Sequence, residues 1–291
     1  MRSRWLVAAC LLAHADAFAL KRKGIAAKPK KKKVKKAPPS PRPVTEALPT
    51  PAEAQLARVA AAAKRCGPDI RRALAAEGYF STENFLDAAA VAAMAREART
   101  LDATLVPSQS TRWDGKETVA YDKEGVRSTQ ILGGADYEKA PRLTEYVVAL
   151  TSALAAEATA RPLSQSKQTN KLAVCDAPGA AYPKHIDNGG GDDRRLLTAI
   201  LYLSGAPAGG HFRAYAPEAD AVVAEVAPAP GAFLCFWSDR LVHDVSEVTR
   251  CAGPDETRWA LTVWLCADAD GVVEETPEAV LRTHWPHNVG S

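Results

Sequence analysis

The stretch FLCFWSDRLVHDVSEV, residues 233–248, reads as two short strands around a turn. An apolar run, Phe233–Trp237, meets the polar break Ser238-Asp239-Arg240, and a second run extends from Val242 to Val248. β-branched and aromatic residues suit a pleated, half-buried surface, and Ser and Asp supply turn chemistry between them. Outward from this hairpin-like unit the same texture recurs in Leu172–Cys175, Leu196–Leu203, Phe212–Tyr215, Ala221–Val226 and Trp259–Cys266, divided by Gly, Pro and Asp. Seven such runs predict a sandwich or barrel.

Upstream the pattern is helical. Ala52–Arg65 and Asp69–Glu77 are alanine-rich and separated by Gly67-Pro68, which predicts two helices. Gly78-Tyr79-Phe80 ends the second, and Ser81–Asn84 reads as a turn. Phe85–Leu101 places Leu86, Ala90, Met94, Glu97 and Leu101 along one helical stripe, and Leu143–Thr159 reads as a further helix. Residues 105–140 are polar with no clear period and read as loops and short strands. The predicted class is α+β, mainly β: a double-stranded β-helix (jelly roll) core over 171–270, a supporting helical region over 51–170, and a C-terminal tail over 271–291.

The chain has 291 residues, 47% of them hydrophobic and 24% charged, which excludes a wholly disordered, collagenous or multi-span membrane protein. The net charge of +3 divides unequally, with +11 in residues 1–50 and −8 in the remainder. The basic character therefore belongs to a tail, and the acidic body is not expected to bind nucleic acid. Residues 1–20 have the charged, apolar and small-residue segments of a secretory signal, too short to anchor in a bilayer, with cleavage expected near Ala17 and no membrane span after processing. Ala15–Leu20 also resembles the junction of plastid-targeting presequences. Residues 21–50 form a basic, Pro-rich linker, centred on Lys30–Lys36, that equally fits a nuclear import signal. The address is thus the secretory route (ER lumen) or a plastid, with nucleus or cytoplasm as the alternative. The six cysteines lack metal-ribbon spacing and read mainly as buried thiols.

The chemistry gathers in the β-rich part. His185 and Asp187 stand two apart, so on an extended chain both can reach one cation. His243 adds a second imidazole, and two His with one carboxylate form the facial set that leaves positions on non-haem Fe(II) open. Arg258 opens the apolar strand Arg258–Trp264, where a buried guanidinium needs an anion. Arg258, Ala260 and Thr262 share one strand face, which leaves room for a carboxylate of a 2-oxo acid. Tyr202 lies in another apolar run, and its hydroxyl needs a buried partner or is an ordinary core tyrosine.

Together, Gly179-x-x-Tyr182-x-x-His185-x-Asp187, Gly209-Gly210, Phe236-Trp237-Ser238-Asp239-Arg240, His243 and Thr257-Arg258-Trp259-Ala260-Leu261-Thr262-Val263-Trp264 resemble the prolyl 4-hydroxylase branch of the 2-oxoglutarate/Fe(II)-dependent dioxygenases, in particular the oxygen-sensing HIF-type enzymes. The resemblance runs from about Gly78 to Asp268. It implies that His185, Asp187 and His243 hold Fe(II), that Arg258 and Tyr202 bind the distal carboxylate of 2-oxoglutarate, and that Arg195 lies near the substrate entrance. It further implies O₂ as co-substrate, ascorbate as reductant, and hydroxylation of a peptidyl proline with release of succinate and CO₂. Trp113 would then fall in a segment folding over the substrate. Two departures stand out: Cys175-Asp176-Ala177-Pro178-Gly179 lacks the family's tyrosine, and the stretch from His243 to Arg258, with its Cys251–Asp255 loop, is longer than in the oxygen-sensing enzymes. The alternatives are a related oxygenase for another side chain, small molecule or nucleobase, and a catalytically silent peptide-binding module. Gly189-Gly190-Gly191 reads as a turn and His211 as a strand residue, while His284 and His287 read as surface residues of the tail.

Overall fold

The computed structural model describes residues 51–113, 118–134, 137–158, 160–205, 208–251, 253 and 256–286; the targeting expectations for residues 1–50, and His287, lie outside them. Chain order runs α1 (Pro51–Ala76), β1 (Tyr79–Thr82), α2 (Ala88–Thr100), β2 (Val106–Trp113), β3 (Thr118–Thr129), α3 (Pro141–Glu157), β4 (Leu163–Cys175), β5 (Tyr182–His185) and β6 (Arg195–Tyr202). It continues through β7 (Ala208–Gly209), β8 (Phe212–Tyr215), β9 (Val222–Val226), β10 (Phe233–Trp237), β11 (His243–Val245), β12 (Val248–Arg250), β13 (Arg258–Ala267) and α4 (Glu278–His284).

Seven strands form one sheet, in the order β1-β10-β6-β13-β4-β3-β2, and four form a second, β5-β11-β8-β9. Neighbouring strands are antiparallel throughout. From β4 onward the chain alternates between the sheets, with β4, β6, β10 and β13 in the large one and β5, β8, β9 and β11 in the small one. This alternation is the expected double-stranded β-helix, and β12 with β7 adds a short ribbon at one end.

The period of two along β13 sorts its side chains between two cores. Trp259, Leu261, Val263 and Leu265 point outward and join Ile70, Met94, Leu143 and Leu150 of the helices in the main apolar cluster. Ala260 points inward and joins Tyr202, Ile200, Phe212, Ala214 and Phe236 in a second, smaller apolar cluster. The helical stripe of α2 is buried as read, including Glu97, whose carboxylate accepts from the backbone N–H groups of Arg142 (2.8 Å) and Leu143 (3.1 Å). It thereby caps α3, whose own N-cap residue, Ala140, has no side-chain acceptor.

Several expectations change. The two helices across Gly67-Pro68 are one, because this surface packs on α3: a Cβ at Gly67 would lie 2.1 Å from Glu157 Oε2, and Arg71 Nη1 donates to that oxygen at 2.8 Å. Val59, Ala63, Ile70 and Leu74 are buried along the same helix, which offsets the roughly 3 kcal/mol that an interior proline costs. The turn at Ser81 is instead the edge strand β1, paired with β10. The region 105–140 holds the long β2–β3 hairpin, Trp113 lies at the end of β2, and β4 begins at Leu163, so residues 51–170 supply strands as well as helices. The run Val242–Val248 is divided into β11 and β12. The tail carries α4, and His284 is buried, with Nε2 2.8 Å from Ala216 O. Val280 and His284 lie four apart on one helical face, which the polar composition of the tail concealed.

Asp239 explains the Ser-Asp-Arg break between strands. Its side chain is fully buried and accepts two bonds from Arg161, at 2.7 and 2.6 Å, and one from Glu274 N at 3.0 Å. Arg161 also donates to Val272 O at 2.6 Å, so one ion pair ties the β10–β11 turn to the C-terminal segment. Removing one member of such a pair strands a buried charge. Arg161→Ala is expected to lower unfolding free energy by about 3–5 kcal/mol in urea titrations.

Candidate active site

The small sheet brings the two imidazoles together. β11 pairs with β5 so that His243 faces His185, with ring centroids 4.2 Å apart. The register then slips: the next pair is Val245 with Tyr182, so more residues of β5 than of β11 span the interval. Such a bulge re-aims side chains, and it lets Tyr182 and His185, three apart, both serve the space between the sheets. His185 Nδ1 lies 2.7 Å from Pro183 O and His243 Nδ1 lies 2.9 Å from Leu241 O. A carbonyl accepts only, so each Nδ1 carries the proton and each Nε2 presents its lone pair.

Asp187 completes the set. Its Oδ1 is 3.5 Å from His185 Nε2 and 3.9 Å from His243 Nε2, and the three ligand atoms all lie within 4.8 Å of one another. Its Oδ2 is held from the large sheet by Thr198 Oγ1 (2.6 Å) and Trp264 Nε1 (2.9 Å), residues directly opposite each other in the β13–β6 register. Ser238 Oγ is 2.8 Å from the Thr198 hydroxyl. One carboxylate oxygen is thus occupied by donors and the other is aimed at the imidazoles. Burial alone would raise the Asp187 pKa, but its neighbours His185, His243 and Arg195 hold it well below the usual carboxylate range. Burial, then His185, brings the His243 imidazole down to about 4, which keeps it neutral and able to ligate. Two imidazoles and one carboxylate drawn together suit a divalent transition metal with open positions, as Fe(II) requires.

Arg258 lies on the same inner face as Trp264, at the other end of β13, and is 3% exposed. Nε donates to Gly210 O at 3.0 Å, Nη2 to the Tyr202 hydroxyl at 3.4 Å, and Nη1 lies 3.8 Å from Cys175 Sγ. Among the described residues no carboxylate is placed against this guanidinium. Gly209, at φ +79°, approaches the partner backbone so closely that a Cβ would sit 1.9 Å from Glu247 O, which sets the carbonyl that Arg258 uses. A buried, permanently charged guanidinium beside a tyrosine hydroxyl is a receptor for a carboxylate.

Of the residues singled out in the sequence, His185, Asp187 and His243 converge, and Arg258 meets Tyr202. Arg195 is engaged locally: it pairs with Asp193 at 2.6 Å, donates to Asp187 O at 2.6 Å, and lies 5.4 Å from the Trp264 ring centre. His211 precedes β8 and pairs with Glu225 at 2.6 Å. Asp176, in the stretch that lacks the family's tyrosine, pairs with Arg127. Tyr182 carried no assigned role from sequence, yet burial and Cys175 raise its pKa while Arg258 lowers it, and Tyr202 and Asp187 are also neighbours. Thr198 and Trp264 were missed as supports of Asp187. Their signal is a hydroxyl and an indole N–H on inner faces of strands that are otherwise apolar.

Residues 170–266 match the 2OG-Fe(II) oxygenase superfamily, and this part of the chain is a 2OG-Fe(II) oxygenase domain. All six residues named from sequence fall inside it. Mouse prolyl hydroxylase EGLN3 is 37% identical over 105 residues, 34% of this chain and 41% of the relative. Human Egl nine homolog 1 is 36% identical over 109 residues, 35% of this chain and 24% of the relative. The chain therefore spans well under half the length of these curated relatives. Among solved structures, a Pseudomonas putida prolyl-4-hydroxylase superposes with a TM-score of 0.54 at 26% identity, over 70% of this chain and all of that one. A Trichoplax adhaerens prolyl hydroxylase in complex with a hypoxia inducible factor oxygen degradation domain peptide shares the fold, with a TM-score of 0.56 at 22% identity over 70% of this chain and 90% of that one.

Two outcomes test this geometry. Arg258→Ala is expected to weaken 2-oxoglutarate binding about 100-fold or more, read by calorimetry on the metal-loaded protein, as loss of a buried charge-assisted pair requires. Thr198→Val is expected to weaken divalent metal binding about 10- to 100-fold in direct titration, because Asp187 loses an orienting donor.

Proposed function

We propose that the protein is a 2-oxoglutarate- and Fe(II)-dependent dioxygenase that hydroxylates a proline residue of a peptide or protein. The observation that carries this reading is a pair of donor sets within one β-helix: the three ligand atoms of His185, Asp187 and His243 drawn together, and on β13 a buried guanidinium with no carboxylate partner among the described residues. Fe(II), when bound, supplies oxygen activation coupled to decarboxylation of 2-oxoglutarate, yielding succinate and CO₂. The chain's own residues have distinct tasks. His185, Asp187 and His243 hold one face of the metal; Arg258 and Tyr202 orient the co-substrate; Thr198 and Trp264 keep the ligating carboxylate turned. Phe212 and Phe236, with ring centres 5.2 and 4.6 Å from that of His243, wall the site with apolar surface and exclude water.

The choice of proline is supported by the prolyl hydroxylases among both curated relatives and solved structures. Among the described residues no helix is long and apolar enough to cross a membrane. The test uses the full chain with Fe(II), 2-oxoglutarate and ascorbate under argon, followed by oxygen admission with a panel of proline-containing peptides. Peptide-stimulated succinate, together with a mass gain of one oxygen atom located on proline, is the expected result. Succinate production that no peptide stimulates would direct the search to other substrates, and failure to bind metal would overturn the enzymatic reading.

A further inference from the structure

The carboxylate ligand does not stand on a strand. β5 ends at His185 and β6 begins at Arg195, so Asp187 lies on the connection between them, and three consecutive glycines, Gly189–Gly191, follow closely. Glycine has the widest backbone freedom of any residue, and ordering such a run is costly in conformational entropy. Thr198 and Trp264 turn the carboxylate, but they do not place the main chain that carries it. That task needs contacts within the connection itself.

Asn188 supplies them. Only 1% exposed, it commits its whole carboxamide to this loop: Oδ1 accepts from Gly190 N at 2.8 Å, and Nδ2 donates to Asp193 O at 3.0 Å and to Arg195 O at 2.5 Å. One side chain therefore spans the glycine run and joins its entry to its exit. The exit reaches back as well, for Arg195 Nη2 donates to Asp187 O at 2.6 Å. The Asn188 backbone N–H donates to Ser238 O at 2.9 Å, and the Ser238 hydroxyl meets that of Thr198, which holds Asp187 Oδ2. The backbone after Asp187 and the rotation of its carboxylate are thus referred to the same serine. An aspartate at this position would have the same shape but no N–H, and would set an anion against two carbonyl oxygens.

Resting on the metal-site reading above, we infer that Asn188 is a positioning residue for the metal centre, its carboxamide fixing the main chain from which Asp187 reaches the ion. Titration of the full chain with Mn(II) under argon, with free Mn(II) read by electron paramagnetic resonance, tests this. Asn188→Ala and Asn188→Asp are each expected to weaken binding about 10- to 100-fold. The second variant is decisive, because its added negative charge lies beside the cation and would by itself tighten binding. Unchanged or tighter binding would overturn the inference. Glu97→Ala, which removes the cap of α3 among the outer helices, is the reference for plain destabilisation and is expected to keep the Mn(II) affinity; a matching loss there would also overturn the inference. Amide exchange on the unmodified, metal-free protein needs no variant to fold. The Gly190 N–H is expected to be protected, and exchange at the rate of an open chain would overturn the inference. Failure of the unmodified protein to bind Mn(II) would overturn the metal-site reading and this inference with it, whereas tight binding by both Asn188 variants would overturn the inference alone.

Discussion

The Oδ2 atom of Asp187 is the point on which the two sheets depend. Its loop follows β5 of the small sheet, yet both donors to that oxygen, Thr198 and Trp264, stand on β6 and β13 of the large one. These bonds set the rotation of the carboxylate, hence the direction of Oδ1, hence whether three ligand atoms share one point. They also link the layers at the place where the interior must stay open. The Asp187 bridges work beside the apolar cluster of Tyr202, Phe212, Ala214, Phe236 and Ala260, so polar and apolar contacts together join the layers.

Arg258 imposes the complementary constraint. Buried among Tyr202, Cys175 and the Gly210 carbonyl, it has hydrogen-bond acceptors but, among the described residues, no anion. A folded protein tolerates this because the strand around it is strongly packed: Trp259, Leu261, Val263 and Leu265 on the opposite face are all buried against the helices. The helices therefore serve the site indirectly. They make the outer face of β13 apolar enough to hold a charge on its inner face.

Much of this was legible in the amino-acid order. The runs Phe212–Tyr215 and Phe233–Trp237 coincide with β8 and β10, His185, Asp187 and His243 converge, and Arg258 meets Tyr202. What escaped were features decided by partners distant in the chain. The four-residue β1 is a strand only because β10 offers an edge, and α1 runs through Pro68 only because α3 packs on its Gly67 surface. Tyr182 reaches the site through a bulge, a feature of register between strands that local propensity does not encode. His284 looked exposed in a polar tail until α4 folded it against Ala216.

The position of β13 has a consequence for how the chain is made. It is the last strand in the sequence, yet it lies between β4 and β6 in the middle of the large sheet. A nascent chain can form the helices and the β2–β3 hairpin as they emerge, but β4 and β6 have no common neighbour until residues 258–267 leave the ribosome. α4 follows, placing Val280 and Trp285 against Ile186 and Val242, the residues adjoining the ligands. Such long-range closure is slow relative to local folding. The ligand set is therefore gathered only once β13 is available, and a ribosome-bound fragment lacking β13 presents the ligand residues without the framework that gathers them.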